Sequence, residues 1–72
     1  KESHVMILKQ IYTVEPFFSY AKLITAIVSA MDKNGCRLGQ SKAREFVTYY
    51  MTEKLIKQES VNGMPYKVYV LS

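Results

Sequence analysis

Seventy-two residues, 49% of them apolar and carrying a net charge of +4, make one domain at most and exclude a disordered chain. The single cysteine, Cys36, excludes an internal disulfide and points to a reducing, cytoplasmic setting. No apolar run approaches ~18 residues and no signal peptide is visible, so no segment reads as membrane-spanning.

The chain opens on Lys1 rather than Met, so the expectation is a single domain over residues 1–72 taken from a longer protein. Glu2 to Thr13 has helical spacing: Val5, Leu8, Ile11 and Tyr12 share a face that Ile7 widens, and Ser3 is a candidate N-cap. Pro16 ends this helix, because the residue before a proline is pushed out of the α region. Phe17 and Phe18 follow as aromatics expected to plug the joint to the next helix. Ser19 is read as the cap of that second helix, which carries Leu23, Ile24, Ile27, Val28 and Met31 at three- and four-residue spacing and runs to about Lys33. Asn34-Gly35 closes it, with Gly35 free to adopt a left-handed conformation.

Cys36 to Gln40 is read as the turn before a third helix. Ser41 is its expected cap, with Gly39 or Gln40 as alternatives, and Ala43, Phe46, Val47, Tyr50 and Met51 form its buried stripe. Leu55 and Ile56 carry that stripe into a strand. Asn62-Gly63 between short alternating runs is a strong hairpin signal, because a type I′ turn needs positive φ at both central residues. With Asn62-Gly63 as a two-residue loop, Val61 faces Met64, Glu59 faces Tyr66 and Gln58 faces Lys67. Pro65, lacking an N–H, belongs on an outward edge position. Tyr66 to Leu71 alternates as a strand with apolar groups on both faces, so the pattern leaves its core-facing side open. An isolated hairpin is marginal in water, and this one must pack on the helices.

Charge is unevenly placed. Between Lys33 and Lys57, the basic residues Lys33, Arg37, Lys42, Arg44, Lys54 and Lys57 face only Glu45 and Glu53; elsewhere Lys1, Lys9, Lys22 and Lys67 cancel Glu2, Glu15, Asp32 and Glu59. The whole surplus falls on the inter-helix turn and the third helix, as a polyanion-binding surface requires, although a merely solvated helix face can also be basic. Little points to catalysis. His4 stands alone and is read as a surface or helix-end residue, and Cys36 as a small buried hydrophobe. Neither belongs to a zinc pattern, the carboxylates are scattered, and no phosphate-binding glycine loop is present. The expectation is a non-enzymatic domain without metal, cofactor or small-molecule ligand.

From Ser19, SYAKLITAIVSAM, the turn, SKAREFVTYYMTEKLI and the hairpin KQESVNGMPYKVYVL together resemble winged helix-turn-helix domains. Lys54-Leu55-Ile56 matches their step from third helix to first wing strand, with Lys54 where glycine is common. The resemblance implies an α+β fold of three helices and a C-terminal two-stranded β-hairpin wing. It also implies duplex DNA binding, with the third helix in the major groove and the wing on the backbone, within a transcriptional regulator or replication protein. Partners would be double-stranded DNA and either a second copy or other domains of the parent protein. Carried over by position, the DNA-facing residues are Gln40, Ser41, Lys42, Arg44, Glu45, Thr48 and Tyr49, with Lys57, Asn62 and Lys67 on the wing. Arg44 suits a guanine edge, Gln40 an adenine and Ser41 a phosphate, while Glu45 suits a cytosine or a neighbouring lysine. Some winged helices bind proteins instead, which leaves a protein-interaction module as the alternative. Six tyrosines also invite a single-strand reading, with Tyr49, Tyr66 and Tyr69 as the candidate platform.

Overall fold

Why the chain turns where it does is visible in its helix ends. The computed structural model describes residues 2–72 and contains three helices, α1 (Glu2–Val14), α2 (Tyr20–Lys33) and α3 (Gln40–Thr52), followed by strands β1 (Ile56–Glu59) and β2 (Val68–Leu71). This is the α+β layout of a three-helix winged helix with a C-terminal hairpin. Ser19 caps α2 as expected, its Oγ accepting from the Lys22 N–H at 3.3 Å. Ser3 lies inside α1 and so is not its cap.

Both α2 and α3 end in the same hydrogen-bond pattern. At α2 the Cys36 N–H donates to the Met31 carbonyl and the Gly35 N–H to that of Asp32, with Gly35 at φ +81°. At α3 the Leu55 N–H donates to Tyr50 and the Lys54 N–H to Met51. These are Schellman closures, whose pivot needs a left-handed backbone. The second pivot is Lys54, at φ +60°. The sharp exit that glycine normally provides is therefore kept, and a lysine carries the steric cost. Lys54→Gly is expected to raise stability by about 0.5–1 kcal/mol, the left-handed penalty relieved less the added freedom of the unfolded chain. A urea midpoint that stays put or falls would refute this.

The core lies where the three helices meet. Ile7, Leu8 and Ile11 of α1, Leu23, Ile24, Ile27 and Ala30 of α2, and Ala43, Val47 and Tyr50 of α3 are buried, joined by Phe18 and Ile56. Phe46 and Met51, expected in the buried stripe, are half-buried at its margin. Cys36 is exposed rather than buried. Its backbone is held in the closing turn of α2, which leaves the side chain outside the helix stripe.

The hairpin departs from its expected register. The strands are antiparallel with Ile56 opposite Leu71, Lys57 opposite Val70, Gln58 opposite Tyr69 and Glu59 opposite Val68. Tyr66 and Lys67 are thus not the partners of Glu59 and Gln58, and residues 60–67 form a loop. The Val61 carbonyl accepts from the Met64 N–H at 3.1 Å, so Asn62-Gly63 does make a turn. Only Gly63 has positive φ (+88°), which fits a type II turn and not the type I′ turn of a two-residue hairpin. Pro65 lies in this loop with no N–H to give a ladder, so pairing starts again only at Val68. Because the register differs by two residues, the sets of side chains sharing a face are unchanged.

Phe18 supplies a third strand position. Its N–H donates to the Tyr69 carbonyl at 3.1 Å and its carbonyl accepts from the Tyr69 N–H at 2.7 Å. The Tyr12 hydroxyl donates to the same Tyr69 carbonyl at 3.0 Å. The wing is thereby tied to the α1–α2 connection, which is how a two-stranded hairpin gains a fixed position on the helices.

Candidate nucleic-acid interface

The third helix divides into a buried and a free side. At 3.6 residues per turn, Ser41, Arg44, Glu45, Thr48 and Thr52 share an arc of about 100° opposite Ala43, Val47 and Tyr50. All five are exposed. Lys42 and Tyr49 border the arc on one side and Gln40 on the other. Thr52 is an addition that sequence reasoning missed, although its four-residue spacing from Thr48 was readable. The Thr48 and Thr52 hydroxyls donate back to the Arg44 and Thr48 carbonyls, at 3.2 and 2.9 Å. Each hydroxyl spends its proton on the backbone and can still accept.

The N-cap of α3 is Gly39 (φ −80°, ψ 163°), not Ser41, and no side chain caps the helix start. Ser41 is the second residue of the helix, two positions past the cap. Its hydroxyl is free, and no side chain competes for the first-turn amides, beside Lys42 and Arg44.

Electrostatics separate the basic residues. Lys42 pairs with Glu45 at 3.6 Å and Lys57 with Glu59 at 3.8 Å. Both pairs are well exposed, and such pairs contribute little and exchange readily. Arg44 and Lys67 have no acidic partner among the described residues. Tyr49 is half-buried, its ring 5.5 Å from that of His4 and 5.9 Å from that of Tyr50, so it edges the stripe rather than standing free on it.

His4 is not a free helix-end residue. Its Nδ1 lies 2.8 Å from the Tyr50 hydroxyl, and its ring meets Phe46 edge-on at 4.9 Å. Burial lowers its pKa from the ordinary histidine value. Burial also pushes the Tyr50 hydroxyl up to about 12, with Tyr49 adding to the effect, so that hydroxyl remains a donor.

On the wing, Lys57, Asn62 and Lys67 are all exposed. Lys67 lies in an open groove of about 500 Å³ with Ser19, Tyr20, Gln58, Tyr66 and Tyr69. The structure thus separates the tyrosines expected to form one platform: Tyr66 and Tyr69 are in the groove, Tyr49 is on α3, and Tyr20 joins them unforeseen.

This chain matches no family model, no curated protein and no solved structure. The surfaces must be interpreted from their own chemistry. Among the described residues no three of His, Cys, Asp or Glu gather as metal ligands, and no helix is long and apolar enough to cross a membrane. Met6, Val14, Tyr20, Tyr66 and Leu71 are the large apolar side chains standing exposed, and none is on α3.

Proposed function

We propose that this is a winged helix-turn-helix domain that binds duplex DNA, with α3 in the major groove and the hairpin wing on the backbone. The observation that carries the reading is the free side of α3, which is wholly polar and bears an unpaired arginine. Phosphate contacts would come from Lys42, Ser41 and the uncapped helix start, and from Lys57, Asn62 and Lys67 on the wing. Arg44, at the edge of the stripe nearer Gln40, presents the fork that fits a guanine edge, with Gln40, Glu45 and Thr48 nearby on the same side of the helix. Tyr49 borders the contact. Release of Lys42 from Glu45 on meeting a phosphate would cost little. A cytoplasmic regulator or replication protein that works as a dimer or with further domains fits so small a contact surface.

The competing use of such a domain, docking a protein partner, calls for an apolar patch on the same surface. The free side of α3 offers none, which favours DNA.

Affinity for a random duplex, followed by fluorescence anisotropy from about 50 to 200 mM salt, tests the reading. Binding is expected to fall steeply with salt. Arg44→Ala combined with Lys42→Ala should weaken it and reduce the log–log salt slope by about 1 for each phosphate left without its cation. No binding at the lowest salt, or a slope indifferent to both substitutions, would overturn it.

A further inference from the structure

We propose that the groove between the start of α2 and the wing is a second nucleic-acid site, one that takes an unpaired base of a single strand. It goes beyond duplex binding by α3 and uses none of the residues of that helix, sharing only Lys67 with the wing contacts proposed above.

Three tyrosines line it, Tyr20, Tyr66 and Tyr69. Tyr69 is the fixed one: its backbone exchanges two hydrogen bonds with Phe18, and its hydroxyl accepts from Gln58 Nε2 at 3.1 Å. Tyr20 stands across from it with ring centroids 5.8 Å apart and planes inclined at 49°. Tyr20 and Tyr66 are 42% and 51% exposed, the highest values for any aromatic side chain described. Leaving two large rings in water beside a third is unfavourable unless something covers them.

Charge selects the occupant. Lys67 is the sole ionisable side chain in the groove besides the tyrosines, and it has no acidic partner among the described residues. A cationic ligand, which aromatic rings otherwise attract, would be repelled by it. A flat, electron-poor ring attached to a phosphate matches both elements, with the base on the tyrosines and the phosphate on Lys67. Gln58 and the tyrosine hydroxyls supply donors and acceptors at the rim. A base within a duplex is stacked on both faces and cannot offer one to the groove, so the ligand is an unpaired nucleotide.

The probe is a fluorescein-labelled oligothymidylate of about twelve nucleotides, within the length such grooves cover, with an abasic oligomer of equal length as control. Anisotropy should report binding of the thymidylate and weaker binding of the abasic strand. Tyr20→Ala and Tyr66→Ala should each weaken thymidylate binding at least about fivefold, while Tyr20→Phe keeps most of it. Both rings are exposed, and circular dichroism checks that each variant is folded. Duplex affinity should change less than about twofold in these variants, so failure here and failure of the α3 reading remain distinguishable. Equal binding of the abasic strand, no thymidylate binding at low salt, or indifference to both alanine variants would overturn the proposal. So would a proline-rich peptide displacing the thymidylate at lower concentration than unlabelled thymidylate does, since aromatic grooves also serve such peptides.

Discussion

Tyr50→Ala is expected to remove a large share of the chain's stability. The side chain is fully buried at the centre of the three helices, and its ring contacts those of His4, Phe46 and Tyr49. Truncating a buried aromatic costs about 3–5 kcal/mol. A domain of this length has only roughly 4–10 kcal/mol in total. Tyr50→Phe keeps the ring and removes the hydroxyl that meets His4, and should cost about 0.5–1.5 kcal/mol. The same contact predicts a dependence on pH. Because burial lowers the folded-state pKa of His4, the folded chain disfavours the imidazolium. The associated stability is present above the unfolded value of about 6.5 and is lost as pH falls through the lower folded value. The thermal midpoint should therefore drop on acidification from neutral pH, and His4→Gln should shrink that drop. A midpoint equally pH-dependent in His4→Gln would show that other groups are responsible, and a Tyr50→Ala urea midpoint close to that of the parent chain would refute the packing argument.

That contact joins residues 46 positions apart, which explains why it was invisible in the sequence. Periodicity reports which side of a helix is buried, and it placed Ala43, Val47 and Tyr50 correctly. It says nothing about which polar atom of a distant helix waits beneath. His4 therefore read as a helix-end residue. The end of α1 and both ends of α2 were legible because Pro16, Ser19 and Asn34-Gly35 act through local backbone chemistry. The α3 exit was legible only in outline, since Lys54 takes a conformation that its side chain disfavours and that the rest of the closure enforces. The hairpin shows the limit most clearly. Asn62-Gly63 does form a turn, but the register is decided farther away, where Pro65 interrupts the ladder and Phe18 holds Tyr69. The polar stripe of α3 was readable because exposure follows from the same spacing as burial. The tyrosine groove was not, because it joins the start of α2 to the wing across the sheet.

Phe18 is the position where this non-local control can be tested. Its ring is buried and meets Tyr12 edge-on at 5.1 Å, while its backbone holds Tyr69 in both directions. Phe18→Ala should cost about 3–5 kcal/mol, comparable to the loss at Tyr50. The two losses should differ in kind. Tyr50 lies among the helices, so its removal weakens the core as a unit. Phe18 joins the wing to the helices, so its truncation should first release the Tyr69 N–H, which donates to the Phe18 carbonyl. Hydrogen exchange on Phe18→Leu, a milder variant that keeps the chain folded, would resolve this. The Tyr69 amide should exchange faster by a larger factor than the amides of Leu23 and Ile27. Uniform acceleration would mean that wing and helices open together, and that Phe18 contributes only bulk to a single core. Selective release would make Phe18 the hinge of the wing. In that case the variant should also lose oligothymidylate affinity, because Tyr69 is the fixed wall of that groove, while the polar stripe of α3 stays in place.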